Sequence, residues 1–452
     1  MYRDEDIDKI KQNMNTIIDK SYNEYKTNYE PTTEEVSKVY SAIKKFIIKN
    51  KTIAYGGFAQ NMLLIAKKAP SIYKIMDGAF YNWPDVADIE FYSPTPIKHL
   101  IDLVDELHNL GFKHVTGGDG MHLGTYKIFV NFINYCDISF MPENIYNNLP
   151  TIEINGIVCT HPHFMLCDAY RVLTDPMTSY WRLEKALRFN KILNYYPISK
   201  DEFIDIKLSS QSNVMRFIRK HIIHNSKLIV IGFYAYDYYI KKINNIDVEY
   251  PYYEVISTDL IEDIKKIHRI LKSKYKYIQV KQFNPYFVLL DKRVEFYYNN
   301  QMILRVIGSN QRCTVYKFSK NKKTYYGTYN LTYMHLLFNY THAIIFKSFE
   351  KSFEKSLYIN MMNNISWIRN KYLDEHRISV IEKSPFQDFT FQCNGIPHDT
   401  IREARIRMFE KRITKFNYKP SNKKDIKIPK VRYDNNSGTE IIDRKNFFYK
   451  NI

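Results

Sequence analysis

The chain contains the segment Ile53-Ala54-Tyr55-Gly56-Gly57-Phe58-Ala59-Gln60-Asn61, in which a short apolar run is followed by two glycines and a mainly apolar stretch. This pattern predicts a short strand, a tight turn and the start of a helix. Glycine has no Cβ atom, so an anion such as a triphosphate could approach the backbone of Gly56 and Gly57 and meet the free N–H groups of the helix N-terminus. A tight connection without any ligand is the simpler alternative.

Three acidic residues lie in further predicted strands. Asp88 and Glu90 are separated by one residue, so their side chains point to the same face of a strand. Asp137 lies in a later apolar strand, where an unpaired carboxylate would be costly. Three carboxylates on adjacent strands match the needs of two divalent ions about 3.5–4 Å apart, which activate a hydroxyl group and stabilise a leaving phosphate. A solvated strand face is the alternative for the paired acids.

The second half of the chain repeats the pattern of the first at nearly constant spacing. Residues 229–237 match residues 53–61, and later predicted strands match in the same order. In this second copy the positions of the three acids are occupied by Tyr252, Glu254 and Arg305. A site that lacks two of three acids and has gained a cation cannot bind two metal ions. The second copy is therefore predicted to be degenerate and to act as a scaffold.

The chain has 452 residues and a mass of 54.2 kDa, which exceeds the size of one ordinary core. The order of elements predicts an α+β protein with mostly antiparallel or mixed sheets. We predict an N-terminal helical extension at residues 1–50 and a first α+β domain at 51–197. Its degenerate copy follows at 198–345, and a C-terminal segment with a helix and a basic tail occupies 346–452.

Short motifs predict several element boundaries. Thr32 and Glu35 have the spacing of a capping box, which predicts a helix that begins after Thr32. Pro96 is predicted to be the first residue of another helix, because proline is favoured there. The sequence Gly117-Gly118-Asp119-Gly120 predicts a hairpin turn between two strands, and a loop that contacts a base is the alternative.

The chain is strongly basic. Lys and Arg total 66 against 48 Asp and Glu, so the net charge is +18, which favours a polyanionic partner, with nucleic acid ahead of a membrane surface. The abundance of Lys, Asn, Ile and Tyr is also what an AT-rich genome would produce, and this weakens the argument from charge alone.

The sequence excludes two classes of protein. It contains no run of about 18 apolar residues of the kind that spans a membrane, and the N-terminus lacks the apolar stretch of a signal peptide. Its five cysteines form no Cys-x-x-Cys pair, which argues against a secreted disulfide scaffold and predicts free thiols in a reducing compartment.

Two basic segments are candidate contacts for phosphate groups. Arg182, Lys185 and Arg188 recur every three residues on a predicted helix and could bind a triphosphate or a primer; a solvated helix face is the alternative. The C-terminal tail could bind an RNA backbone, or it could simply be solvated. The candidate RNA-binding residues of the tail are Lys411, Arg412, Lys415, Lys419, Lys423 and Lys424.

The order of a Gly-Gly turn, an Asp-x-Glu strand and a later Asp resembles the nucleotidyltransferase superfamily that includes DNA polymerase β and the poly(A) polymerases. The degenerate second copy, the N-terminal helices and the basic composition narrow this resemblance. The chain resembles the poly(A) polymerase catalytic subunits of poxviruses and of giant cytoplasmic DNA viruses, of mimivirus type. The resemblance covers most of the chain to about residue 345.

The resemblance implies template-independent transfer of AMP from ATP to the 3′ end of single-stranded RNA, with release of pyrophosphate, in viral mRNA polyadenylation. It implies two Mg²⁺ or Mn²⁺ ions. Asp88 and Glu90 would hold both ions, and Asp137 would bind the ion at the attacking 3′-hydroxyl. Gly56 and Gly57 would hold the β- and γ-phosphates, with help from Gln60 or Asn61. Many members have Asp where this chain has Glu90, a difference that could alter the metal preference.

The resemblance implies either pairing with a processivity subunit or, as in the giant-virus branch, self-association, and we expect a homodimer. It also implies a location in the host cytoplasm, in the viral factory, or in the virion. Three alternatives remain open from the sequence. The first is another RNA nucleotidyltransferase, such as a CCA-adding, uridylyl- or oligoadenylate-type enzyme. The second is a non-catalytic RNA-binding subunit, which the intact acid triad of the first copy argues against. The third is a structural virion protein.

Overall fold

The computed structural model describes residues 2–28, 31–69, 88–198, 203–204, 206, 212–224, 226–243, 251–310, 312–346, 351–397, 399–409, 416–422 and 435–442. The helices are α1 (Asp4–Gln12), α2 (Met14–Asn28), α3 (Thr33–Asn50), α4 (Gly56–Ala66), α5 (Pro96–Asn109), α6 (Glu143–Tyr146), α7 (Pro162–Thr174), α8 (Pro176–Ser179), α9 (Leu183–Leu193), α10 (Ser212–Ile218), α11 (Gly232–Ile240), α12 (Leu260–Lys272), α13 (Tyr329–Ile345), α14 (Lys351–His376) and α15 (Thr400–Phe409).

The strands form two mixed sheets. They are β1 (Ile53–Tyr55), β2 (Ile89–Ser93), β3 (Thr116–Asp119), β4 (Thr125–Val130), β5 (Ile133–Phe140), β6 (Thr151–Ile154), β7 (Ile157–Thr160), β8 (Ile229–Ile231), β9 (Tyr253–Ser257), β10 (Ile278–Phe283), β11 (Arg293–Tyr298), β12 (Gln301–Gly308), β13 (Thr314–Ser319), β14 (Thr324–Gly327), β15 (Cys393–Asn394) and β16 (Asn417–Tyr418). The predicted α+β class is confirmed.

The two sheets have the same topology. The first sheet has the order β16-β3-β4-β5-β2-β1-β7-β6, and the second has the order β10-β11-β12-β9-β8-β14-β13-β15. Once the short C-terminal strands β15 and β16 are set aside, the seven strands of one sheet correspond one to one with those of the other. The strand–helix unit β1–α4 corresponds to β8–α11, and α5 corresponds to α12. The predicted duplication is therefore visible in the fold.

The register of the strands confirms the correspondence residue by residue. Glu90 pairs with Asp137 across β2 and β5, and Glu254 pairs with Arg305 across β9 and β12. Each copy also has a register irregularity at the corresponding place on the strand beside this pair. It follows Ile128 in β4 and Phe296 in β11. A shared irregularity of this kind supports a true repeat, since bulges are kept within families.

Helices with one apolar face cover each sheet. Thr32 accepts a hydrogen bond from the backbone N–H of Glu35 at 3.2 Å, so the predicted cap at the start of α3 is confirmed. Pro96 is the first residue of α5, also as predicted. The buried faces of these two helices follow the helical period. They include Val36, Val39, Ile43, Phe46 and Ile47 in α3, and Leu100, Leu103, Val104 and Leu107 in α5.

The prediction of a hairpin turn at 117–120 is wrong, because residues 116–119 form strand β3. A Cβ atom on Gly117 would lie 2.7 Å from a methyl carbon of Leu100, and one on Gly118 would lie 2.8 Å from the carbonyl oxygen of Phe416. The glycines therefore let helix α5 and the segment before β16 approach the strand closely. Close approach of other parts of the chain is a known reason for glycine within a strand.

The prediction of free thiols holds for Cys136, Cys159 and Cys167, which are buried and unpaired, but it is wrong for the other two cysteines. Cys313 and Cys393 form a disulfide bond across 80 residues of sequence. Pairing of β15 with β13 brings the two cysteines together. Such a partnership is set by the fold, and the spacing of cysteines in the sequence does not reveal it.

The chain forms two compact units, and neither is continuous along the sequence. One unit comprises Met1–Phe140, Ile152–Cys159 and Arg407–Val431, and the other comprises Met141–Thr151, Thr160–Ile406 and Arg432–Ile452. The domain boundaries predicted above rest on the repeat and stay predictions. Among the described residues, no helix has both the length and the apolar composition that a membrane span needs.

Candidate active site

The fold brings the three predicted acids of the first copy together. Glu90 and Asp137 are register partners on the parallel strands β2 and β5, and Asp88 directly precedes β2. The side-chain amide of Asn134 donates a hydrogen bond to Asp137 Oδ1 at 3.0 Å and lies 3.5 Å from Asp88 Oδ2. Asn134 was not predicted from the sequence. It lies at the register irregularity of β5, which the sequence alone does not show.

The negative charges of this cluster affect the pKa of the neighbouring Cys136 thiol. Burial raises the pKa of Cys136 well above its ordinary value, and the charges of Asp137, Asp88 and Glu90 raise it further. All three carboxylates therefore act on one point in the sheet. Oxygen ligands that carry negative charge are those that Mg²⁺ and Mn²⁺ prefer.

Gly56 and Glu90 fit each other closely. Gly56 has a left-handed backbone with a φ of +65°, and a Cβ atom there would lie 1.7 Å from Glu90 Oε2. The same oxygen accepts a hydrogen bond from the backbone N–H of Gly57 at 2.7 Å. The carboxylate thus occupies the space that a side chain at residue 56 would need, and it binds the positive end of helix α4. The Gly-Gly turn is therefore required by an acid of the site itself.

Two aromatic residues that were not singled out from the sequence line the same strands. The ring of Tyr55 stacks on that of Tyr92, with 3.9 Å between the ring centroids. The Tyr55 hydroxyl is hydrogen-bonded to Ser139 Oγ at 2.7 Å. Burial raises the pKa of Tyr55 well above its ordinary value, and the charge of Glu90 adds to this effect. Tyr55 is therefore a neutral hydrogen-bonding group at neutral pH.

Lys127 is a further residue of the cluster that was missed. It lies on β4 directly opposite Asp137 on β5, and its ammonium nitrogen is 3.0 Å from both carboxylate oxygens. In the sequence it stands between Tyr126 and Ile128, which are both buried. A lysine between two core residues of an alternating strand is a weak signal by itself, because its side chain is expected to face solvent.

The other residues predicted to contact the nucleotide lie in α4, in α9 and in a short turn before α9. The side chains of Gln60 and Asn61 are buried, with 9% and 4% of their surface exposed. Arg182 lies at the end of a short 3₁₀ turn, whereas Lys185 and Arg188 lie on α9 in the second compact unit. Arg188 forms an ion pair with Glu184 at 2.5 Å.

Of the basic tail, Lys419 is exposed directly after β16. The other candidate RNA-binding residues lie outside the described residues: Lys411, Arg412, Lys415, Lys423 and Lys424.

The equivalent position of the second copy has no acid triad. Arg305 donates hydrogen bonds to Glu254 at 3.0 Å and to Glu295 at 2.9 Å, and all three side chains are largely buried. Burial raises the pKa of Glu295, but the guanidinium groups of Arg305 and Arg293 outweigh burial and hold it below its ordinary value. An internal cation thus neutralises the acids of this copy.

The first copy has the donor set for divalent ions in its three carboxylates. In the conformation described, Lys127 and Asn134 hold Asp137, and the N–H of Gly57 holds Glu90. Within the part of the chain that the structure describes, no three acidic, His or Cys side chains are already grouped as a finished metal site. The carboxylates suit Mg²⁺ or Mn²⁺ by their chemistry, and binding would require them to leave the partners that hold them in this conformation.

Comparison with known proteins agrees with this geometry. The family model described as "Poly(A) polymerase catalytic subunit" matches residues 41–179, and the model "APMV, Putative poly(A) polymerase, catalytic subunit, C-terminal" matches residues 190–451. The chain belongs to the poly(A) polymerase catalytic subunit family. The resemblance inferred from the Gly-Gly turn and the acids is thereby confirmed.

Relatives of this polymerase come from giant viruses and from a second virus group. It is 32% identical to the putative poly(A) polymerase catalytic subunit of Acanthamoeba polyphaga mimivirus, over 93% of this chain and 80% of the relative. The African swine fever virus subunit (strain Badajoz 1971 Vero-adapted) is 26% identical, over 48% of this chain and 44% of the relative. The solved Megavirus polyadenylate synthase has a TM-score of 0.83 at 30% identity, and the match covers 99% of this chain and 94% of that one.

These findings also confirm the predicted enzyme class. The polymerase is a polynucleotide adenylyltransferase of the giant-virus type, and the alternatives of a non-catalytic RNA-binding subunit and of a structural virion protein are rejected.

Proposed function

We propose that Asp88, Glu90 and Asp137 form the centre at which AMP is transferred from ATP to the 3′ end of single-stranded RNA without a template. The observation that carries this proposal is the pairing of Glu90 with Asp137 on parallel strands, with Asp88 linked to the same point by Asn134. Carboxylates placed close together repel each other, and a pair of bound divalent ions would offset that repulsion.

Two divalent ions, Mg²⁺ or Mn²⁺, would lower the pKa of the RNA 3′-hydroxyl and neutralise the charge that develops on pyrophosphate. Asp88 and Glu90 would hold both ions, and Asp137 would hold the one at the hydroxyl. Asn134 keeps the carboxylates of Asp88 and Asp137 side by side. Glu90 has a longer side chain than Asp88, which suits its second task at the N-terminus of α4.

The N-terminus of α4 would bind the β- and γ-phosphates through backbone N–H groups at Gly56 and Gly57. The Gly57 N–H is held by Glu90 in the described conformation, so phosphate binding and movement of Glu90 are coupled. Gln60 and Asn61 are buried in the same helix. Their buried side chains would help to hold the phosphate-binding turn in position.

The basic segments would serve RNA and the triphosphate. Arg182, Lys185 and Arg188 are proposed to bind triphosphate or primer, and the tail from residue 411 is proposed to bind the RNA backbone. We also propose that the enzyme acts as a homodimer in the host cytoplasm or the virion.

The test is primer extension by the purified full chain, with a labelled oligo(A) primer and each nucleoside triphosphate separately, in Mg²⁺ or Mn²⁺. Asp137→Asn should lower transfer by about a thousandfold or more, because removing a catalytic electrostatic group costs this much. Its affinity for RNA should stay within about twofold, since no phosphate contact is lost. Asp102→Asn on the exposed face of α5 is the matched control and should be fully active.

Three results would contradict the proposal in different ways. Loss of RNA binding together with transfer would make Asp137 a structural residue. Full activity of Asp137→Asn would remove it from the catalytic centre. Extension with another nucleotide in preference to ATP would keep nucleotidyl transfer and reject ATP as the substrate.

A further inference from the structure

We propose that Lys127 is a positioning residue that acts as an internal counter-ion for the catalytic acids: its ammonium occupies the cation position at Asp137 until a divalent ion displaces it. This inference rests on the proposed role of Asp137 as a metal ligand.

The contact between the two side chains is direct. Lys127 and Asp137 face each other on β4 and β5, and the ammonium nitrogen is 3.0 Å from each carboxylate oxygen. Asp137 is only 13% exposed, so solvent screens the pair weakly, while Lys127 is 30% exposed and has a path to solvent. Asn134 holds one of the same oxygens. A metal ion that binds Asp137 therefore competes with Lys127 for the same oxygens.

The second copy shows what a permanent cation does at this position. Its register partners at the same place are Glu295 and Arg305, so the pair is present with its charges exchanged between the two strands. Arg305 also binds Glu254, the counterpart of Glu90. Because its planar guanidinium binds two buried carboxylates at once, Arg305 is held in place, and both carboxylates already have a cation as partner.

The first copy has a lysine instead, and this difference matters. An ammonium on a four-carbon chain is a mobile point charge with three rotatable donors, and among the described residues Lys127 forms an ion pair with one carboxylate rather than two. The fold thus places a cation at the corresponding strand pair of both copies, exchangeably between β4 and β5 and permanently between β11 and β12. In the first copy Lys127 offsets the repulsion among three neighbouring carboxylates when no divalent ion is bound. It also raises the concentration of divalent ions that is needed for binding.

The experiment measures Mn²⁺ binding to the full chain by electron paramagnetic resonance of the free ion, without nucleotide or RNA. Lys127→Met should bind Mn²⁺ about tenfold more tightly than the wild type, because a partly buried charge-assisted contact to Asp137 no longer competes. Lys127→Arg keeps a cation at Asp137 and should bind Mn²⁺ as weakly as the wild type or more weakly. Lys49→Met, which removes the surface ion pair with Glu106, is the control for net charge and should not change the affinity.

A double-mutant cycle separates this inference from the proposed function. Asp137→Asn alone should weaken Mn²⁺ binding, and adding Lys127→Met to it should change nothing further. If Asp137→Asn leaves Mn²⁺ binding unchanged, the proposed metal centre fails. If Asp137→Asn weakens binding but Lys127→Met does not tighten it, only the counter-ion role of Lys127 fails. Lys127→Gln, which keeps a polar side chain, replaces Lys127→Met if circular dichroism shows that the latter is misfolded.

Discussion

Replacement of Gly56 by alanine tests the link between the glycine turn and the acid cluster. An L-residue in the left-handed conformation found at Gly56 costs about 1–2 kcal/mol. The new Cβ atom would lie 1.7 Å from Glu90 Oε2, so the carboxylate must move and release the N–H of Gly57. Loss of a hydrogen bond to a charged group costs about 1.5–3 kcal/mol. The local free energy of opening should therefore fall by about 2.5–5 kcal/mol.

Hydrogen exchange of peptides that cover β1 and α4 measures this opening free energy, and primer extension measures the consequence for transfer. Gly111→Ala is the matched control, because Gly111 also has a positive φ, of +90°, but a Cβ atom there meets nothing within 4 Å. It should cost only the backbone part, about 1–2 kcal/mol, and leave transfer unchanged. Gly56→Ala should lose most of its transfer activity, since Glu90 is displaced.

The reasoning about Glu90 is refuted if Gly56→Ala exchanges and transfers like Gly111→Ala. Such a result would mean that Glu90 leaves its position at no cost and that the contact with Gly57 carries no free energy. Gly232→Ala provides a second comparison, because its Cβ atom would meet Glu254 at 2.2 Å in the degenerate copy. Its folded fraction should keep the wild-type transfer rate.

Three further predictions concern the second unit. Arg305→Met leaves the buried Glu254 without its cation and Glu295 with Arg293 alone, so urea unfolding should show a loss of about 3–5 kcal/mol. The transfer rate per folded molecule should stay unchanged, and a folded but inactive variant would overturn the scaffold role. Burial lowers the pKa of His268 from 6.5 to about 4, so the unfolded state binds a proton at a higher pH than the folded state does. The free energy of unfolding should therefore fall as the pH drops from 6.5 to 4. In urea unfolding, His268→Leu should reduce this dependence on pH, and an unchanged dependence would contradict the prediction. Cys313→Ser removes a disulfide that closes a loop of 80 residues. The free energy of unfolding should fall by about 4 kcal/mol, because the unfolded chain loses a constraint. Urea unfolding without reductant measures this change, and equal stability of the two proteins would show that the bond does not form in solution.

Much of the fold and of the site followed from local patterns. The strand–turn–helix unit at residues 53–61 was predicted because burial, glycine conformation and helix periodicity act within a few residues. The spacing of Asp88 and Glu90 placed both carboxylates on one strand face for the same reason. Comparison of the two halves then identified Arg305 as the replacement for Asp137, which the register of β9 and β12 confirms.

The partners of these residues depended on contacts between distant parts of the chain. A period of two along a strand determines which face a side chain occupies, but it says nothing about which residue lies opposite on the next strand. The pairing of Lys127 with Asp137, the approach of Asn134 to Asp88 and the bond between Cys313 and Cys393 all follow from register between different strands. The close fit of Gly56 to Glu90 arises in the same way, because β1 and β2 are neighbours in the sheet although 33 residues separate Gly57 from Glu90.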